Sequence, residues 1–301
     1  MKIILHPAKL IKFFLNIIGI SLTLIPVPIL IGFCWVLSIS AYLFLAGRRE
    51  LVKRNLQIAF TGLSYWQLKV ISVKTINHTI EQGLLVFVWP LLSENRIKRS
   101  FPISTISLEK LNRINDSGSG ILWLIPHFCH ADALSFLQPK LQVNALYRPL
   151  RNPVFDDFVK KSRQRFGVKT IDRKDGGMLK TLKVLKRGEI LAMLFDQNAG
   201  GAGTRLPFMG RECSCTTLPD ILNEKYKPRI LFVYTKRIGF WKSSIEVDEM
   251  TPISDSQLVI ERANTWLEGK LRKDKQLRES WLWMHQRWKP GVGQSRQGRI
   301  R

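Results

Sequence analysis

Cysteine is scarce in this chain, four among 301 residues. That is too few for the disulfide framework of a small secreted domain. Acidic residues are also sparse: 23 Asp and Glu face 47 Lys and Arg, a formal charge of +24. Such an excess points to an anionic partner, whether nucleic acid, an anionic membrane surface or a phosphorylated substrate. No G-x-S-x-G elbow, no G-x-x-x-x-G-K-[ST] loop and no G-x-G-x-x-G fingerprint occurs. The usual local signs of a serine hydrolase, a P-loop enzyme and a dinucleotide-binding enzyme are therefore missing. Internal repeats and heptad runs are absent too. With 45% hydrophobic and 23% charged residues, the composition is that of a folded protein with a sizeable core.

The most telling absence is local. From Phe13 to Gly47 there is no Asp, Glu, Lys or Arg. A membrane-spanning helix needs about 20 apolar residues, so the run accommodates one span plus a further buried or interfacial helix. Pro26 and Pro28 mark the break between them. A signal peptide has a shorter apolar region and a small-residue cleavage site, and neither is evident here. Residues 1–47 are thus expected to form a membrane anchor. Arg48, Arg49, Lys53 and Arg54 follow it directly, as basic residues do on the cytoplasmic side of a span.

Beyond residue 120 the pattern alternates. Apolar runs at 121–125, 143–147, 168–171, 190–195 and 230–234 read as buried strands. Helical patterns lie near 131–137, 153–165, 175–187 and 216–226, the third with Asp175 as a cap and Gly188 at its end. This alternation predicts an α/β fold, a mostly parallel sheet flanked by helices, with the site in the loops at the carboxyl ends of the strands. Residues 48–115 read as helical. Residues 255–288 read as two more helices, the second carrying Trp281, Trp283, His285 and Trp288. The α/β domain is expected to span 48–290, and 291–301 to form a basic tail. From Arg287 onward there are five basic residues and no acidic one.

Only five His occur, and two of them share the stretch Pro126-His127-Phe128-Cys129-His130-Ala131-Asp132. The apolar strand before it ends at Pro126, so His127 opens the loop and Asp132 starts the next helix. A carboxylate at that reach can fix the imidazole tautomer and stabilise the imidazolium, which would make His127 a general base. Two further readings compete: a metal site from His127, Cys129, His130 and Asp132, and a structural histidine. Without a serine elbow, the base would most simply activate a hydroxyl of the bound substrate. Gly200, Gly201 and Gly203 form a Gly-rich loop just after Asp196-Gln197, read as a flap over the site or a surface loop.

Taken in order, these blocks resemble the lipid A biosynthesis acyltransferases, the late lauroyl and myristoyl transferases within the lysophospholipid acyltransferase superfamily. The blocks are Arg54-Asn55-Leu56, His127-x4-Asp132, Tyr147-Arg148-Pro149, Asn152-Pro153, Arg163 and Asp172-Arg173-Lys174. They continue through Asp196-Gln197, Pro207-Phe208-Met209-Gly210 and Trp283-Met284-His285-Gln286-Arg287-Trp288. The resemblance implies a membrane-bound enzyme of the inner membrane whose site faces the cytoplasm. Its base would be His127 with Asp132 as carboxylate partner, acting on an acyl carrier protein thioester, or acyl-CoA, and a phosphorylated lipid A precursor. Arg163 and Asp196 fall where the family has an essential arginine and aspartate. Arg148, Arg173 and Gln197 are implied substrate contacts. No cofactor and no metal are expected. Two departures stand out: Asp132 where these enzymes more often carry Glu, and Cys213-Ser-Cys215 where small residues are usual. The nearest alternative is an acyltransferase using acyl-CoA on a glycerophospholipid or a phosphatidylinositol mannoside. A nucleic-acid-binding protein is the alternative from another class, but no module or aromatic-basic stripe supports it.

Overall fold

A computed structural model describes residues 7–115, 120–137, 141–174, 176–251 and 257–289. Asp175 and the expected tail 291–301 lie outside the described residues. Two apolar helices, α1 (Pro7–Leu24) and α2 (Val27–Phe44), open the chain and break at Pro26, as the prolines predict. Each has 18 residues and is long and apolar enough to cross a membrane. At 1.5 Å per residue each measures about 27 Å, close to the hydrocarbon thickness of a bilayer. Their outer faces leave Phe13, Phe14, Ile29, Phe33, Val36 and Phe44 exposed. An apolar surface of that extent requires a membrane or a partner.

The helical segment then comprises α3 (Ala46–Ala59), α4 (Tyr65–Val88), α5 (Glu94–Ser100) and α6 (Thr105–Asn115). Ser64 and Gln67 form a reciprocal cap at the start of α4. Both apolar helices pack on α4 at close range. A Cβ at Gly19 would run into the Phe87 carbonyl oxygen, and Asn77 donates to Ser38 Oγ at 3.2 Å.

Strands and helices alternate from there: β1 (Ile121–Ile125), β2 (Val143–Tyr147), α7 (Pro153–Gln164), β3 (Lys169–Asp172), α8 (Gly177–Lys186) and β4 (Ile190–Leu194). A 3-10 turn, Ala131–Phe136, stands where the sequence pattern predicts a helix. A hairpin of β5 (Thr204–Phe208) and β6 (Arg211–Cys215) precedes α9 (Leu218–Tyr226). The chain closes with β7 (Arg229–Gly239), β8 (Lys242–Glu249), α10 (Val259–Lys273) and α11 (Lys275–Ser280). The six-stranded sheet has the order β3-β2-β4-β1-β7-β8. It is parallel except for β8, which pairs antiparallel with β7. The strands are apolar on both faces because both are covered. One face packs Leu122, Leu191 and Phe232 against α8, α9 and α10. The other packs Trp123, Val143 and Leu231 against α4 and the turn after β1.

The Trp-rich segment departs from the predicted helix. α11 ends at Ser280, and residues 281–289 run on without helical structure. Asn55 Nδ2 donates to the carbonyls of Trp283 (2.7 Å) and His285 (2.8 Å), drawing them out of any helical bond. Arg287, counted from sequence as the first of five C-terminal basic residues, is 1% exposed in the core.

Candidate active site

The register of two neighbouring strands builds the site. β1 and β4 are parallel, with Ile125 opposite Leu194. Two residues further along each strand stand His127 and Asp196, so the pairing that aligns the strands also aligns these side chains. His127 Nδ1 lies 2.5 Å from Asp196 Oδ1. The His127 backbone N–H donates to Asp196 Oδ2 at 2.8 Å. Trp281 Nε1 donates to the same oxygen at 2.6 Å. Asp196 is 1% exposed and His127 20%.

Burial alone would push the Asp196 carboxyl up. The pairing with the His127 ring, the His127 backbone N–H and the Trp281 indole outweigh it and hold the carboxyl below the usual aspartate range. A carboxylate only accepts, so Nδ1 of the neutral imidazole carries the proton and Nε2 is left as the basic nitrogen. Nε2 is 3.1 Å from the side-chain nitrogen of Gln197.

The sequence assigns Asp132 as the orienting carboxylate, and the structure places it differently. Asp132 sits in the 3-10 turn, where Oδ1 accepts from Arg163 Nε at 2.7 Å. Its Oδ2 accepts from Gln82 Nε2 at 2.8 Å. Gln82 also takes the backbone N–H of His130 through its Oε1, so α4 fixes the His127–Asp132 loop from one side. Asn152 and Pro153 explain how Arg163 arrives there. Asn152 Oδ1 caps α7 by accepting from Val154 and Phe155 N–H, with Pro153 in the first turn. The last turn of that helix then presents Arg163.

The four candidate metal ligands do not converge. His130 is fully buried, in the left-handed region at φ 67. It is held by Ser243 Oγ (2.7 Å) and Glu81 Oε1 (2.9 Å). Cys129 Sγ turns toward the His78 carbonyl. Glu81, Cys129 and His130 do lie close together. Glu81 is already engaged there by Arg237 Nε and the Trp241 backbone N–H.

Beneath His127 a cavity of about 390 Å³ runs into the molecule against one face of the sheet. Its walls are mainly apolar: Trp123, Leu134, Val143, Ala145, Val168 and Ala192. Asp132, Arg163 and Tyr147 stand at the polar part, with the Arg163 guanidinium 5.9 Å from the Tyr147 ring centre. His78 lines the cavity as well. Burial, joined by the nearby Arg237 charge, lowers its pKa to about 4, so it is neutral there. Arg148 and Arg173 follow β2 and β3 on the exposed surface, outside this lining. Arg173 instead borders a smaller cavity with Gly177 and Thr217.

Two supporting residues escaped sequence reasoning. Arg287 donates to the Gln197 carbonyl (2.7 Å), the Ser214 carbonyl (3.0 Å) and Asn264 Oδ1 (3.2 Å), clamping the loop that follows Asp196. His285 Nε2 accepts the Asn198 backbone N–H at 2.9 Å. Burial holds its pKa below the ordinary histidine value. Both fall inside the Trp-rich block, whose dense polar and aromatic residues were the available signal.

A histidine backed by a buried carboxylate and set over a mainly apolar cavity is an arrangement suited to general-base chemistry on a substrate with an aliphatic part. The chain belongs to the bacterial lipid A biosynthesis acyltransferase family, whose model matches residues 1–290. It is similar to the lipid A biosynthesis lauroyltransferase of Escherichia coli (strain K12), 25% identical over 95% of this chain and 94% of that one. It is therefore an acyltransferase acting in lipid A biosynthesis.

Proposed function

We propose that the protein transfers a fatty acyl chain from an acyl carrier protein thioester to a hydroxyl of a phosphorylated lipid A precursor, with His127 as general base. The observation that carries this reading is the His127–Asp196 pair at the mouth of the apolar cavity. The acyl chain occupies the cavity and the thioester carbonyl lies near His127. Nε2 takes the acceptor hydroxyl proton as its oxygen attacks the carbonyl carbon. Asp196 stabilises the imidazolium that forms. The tetrahedral oxyanion collapses, the C–S bond breaks, and the leaving thiolate receives the proton from Nε2. No protein nucleophile and no cofactor enters this sequence of steps.

Asp132 acts in this reading through Arg163. The carboxylate holds Nε of the guanidinium, leaving the Nη nitrogens to meet polar oxygens of the bound substrates. Arg148 and Arg173, exposed beyond the strand ends, suit the acidic surface of the carrier protein or the acceptor phosphates. The anchor places the enzyme in the inner membrane with the site on the cytoplasmic side, where the basic residues 48–54 meet anionic headgroups.

The test is acyl transfer by purified His127→Ala with dodecanoyl thioesters of acyl carrier protein and of coenzyme A. Loss of general-base catalysis lowers the rate by about 10²–10⁴-fold. A folded His127→Ala protein with undiminished transfer would refute the proposal. Faster turnover of the coenzyme A thioester would reassign the donor.

A further inference from the structure

Gln197 stands where the reaction needs something else. Its side-chain nitrogen is 3.1 Å from His127 Nε2, within the range a base requires for the hydroxyl it deprotonates, about 2.6–3.2 Å. The contact has only one chemical sense. Nδ1–H points to Asp196, so neutral Nε2 offers a lone pair and the amide N–H donates to it. The amide and an acceptor hydroxyl cannot occupy that position together.

The Gln197 main chain cannot move aside, because Arg287 holds its carbonyl and is itself anchored to Ser214, Asn264 and Cys215 Sγ. The next residue is pinned as well: Asn198 donates its backbone N–H to His285 and its side-chain amide to the Arg287 carbonyl. Only the side-chain torsions of Gln197 are free, and that side chain is exposed at the mouth of the site. Breaking one neutral hydrogen bond is a small cost beside what binding a large acceptor supplies.

We propose that the Gln197 side-chain amide is a placeholder for the acceptor hydroxyl, keeping water off His127 Nε2 while a loaded donor waits and yielding to the acceptor when it arrives. This rests on the reading of His127 as the base. The reaction it suppresses is hydrolysis. A water at Nε2 would give up its proton there and add its oxygen to the thioester carbonyl. The C–S bond would break, the thiolate would take the proton, and free fatty acid and thiol would result. Gln197 is thus a residue that sets the partition between transfer and hydrolysis, acting through the base.

The experiment compares wild type, Gln197→Ala, Gln197→Glu and His127→Ala, all full length, on dodecanoyl thioesters of acyl carrier protein and coenzyme A. Free fatty acid and acylated lipid are measured with and without a lipid A precursor. Gln197→Ala should release fatty acid about 2- to 12-fold faster without acceptor, the value of one lost neutral hydrogen bond. Its transfer-to-hydrolysis ratio should fall by a similar factor. In Gln197→Glu the carboxylate can accept only from a protonated Nε2, so it favours the imidazolium and should move the acidic limb of the rate profile to higher pH. An unchanged partition in Gln197→Ala together with an unmoved limb in Gln197→Glu would overturn the placeholder. If His127→Ala still loses both reactions, the base reading survives that failure. If His127→Ala retains both, the base reading falls and the placeholder with it.

Discussion

His127 and Asp196 are 69 residues apart in sequence, yet their side chains meet at 2.5 Å because each lies two residues beyond the end of one of two paired parallel strands. The contact is thus a consequence of β-sheet register. A one-residue slip between β1 and β4 would turn one of the two side chains to the other face. The register is secured by full burial of Leu122, Leu124, Ile190 and Leu191. Burying each of these side chains contributes about 1.5–3 kcal/mol. The same packing that holds the sheet therefore sets the geometry of the site.

Asp132 and Arg163 should behave as one unit. Truncating either to Ala should impair transfer, and the double variant should be little worse than the more damaging single one. A double-variant cycle on kcat/KM should give a coupling of at least about 1 kcal/mol, as for residues in direct ionic contact. Additive losses would show that the two act separately. Asp132→Glu keeps the charge and should retain measurable activity.

The cavity should measure the acyl chain. Ala145 and Ala192 project into it from β2 and β4, so Ala145→Phe or Ala192→Phe shortens the available space. Each should raise KM for long-chain donors while leaving short-chain donors less affected. Overpacking also costs about 1–3 kcal/mol of stability, so a thermal melt accompanies the assay. Equal loss for every chain length would place the chain elsewhere.

Stability should fall on mild acidification, and His78 contributes to the slope. Its pKa is lowered from 6.5 to about 4 by burial. The unfolded chain therefore binds a proton that the folded one refuses between those values. The stabilisation is complete above pH 6.5 and is lost as pH drops toward 4. Melting temperature from pH 4 to 7 should rise with pH, and less steeply in His78→Gln. Identical slopes in the two proteins would contradict the assignment.

Much of this arrangement was legible in the sequence. The uncharged run with Pro26 gives two apolar helices, both long enough to span where one span and a buried or interfacial helix were expected, and the short runs at 121–125 and 143–147 give strands with those same limits. Half-covered strands were harder to read. β8 alternates Ser243, Ile245 and Val247 inward with charged residues outward, and it is an edge strand, so no continuous apolar run marks it. The 281–288 segment carries helix-compatible residues, but its carbonyls are claimed by Asn55 from the far end of the chain, which no local pattern reveals. The resemblance names Asp196, but its pairing with His127 escaped for the same reason. Spacing offers Asp132 five residues away, whereas the register of β1 and β4 brings Asp196 to the imidazole. Arg287 counted only among the C-terminal basic residues and in a motif block, because sequence cannot show that a guanidinium is buried among carbonyls.

The most direct test sets Asp196→Asn against Asp132→Asn in the same transfer assay, with His127→Ala as the reference for a missing base. Asparagine at 196 preserves the shape but removes the charge that, in the proposed mechanism, stabilises the imidazolium, and an amide can hold the wrong tautomer. The corresponding change in a serine protease triad lowers kcat by about 10⁴-fold. Asp196→Asn should therefore fall by about 10³–10⁴-fold, to the level of His127→Ala, and combining the two should cost little more. Asp132→Asn should lose less, since it disturbs the seating of Arg163 and the Gln82 contact rather than the base itself. Near-normal transfer by a folded Asp196→Asn protein, with Asp132→Asn inactive, would contradict the account and return the orienting role to Asp132.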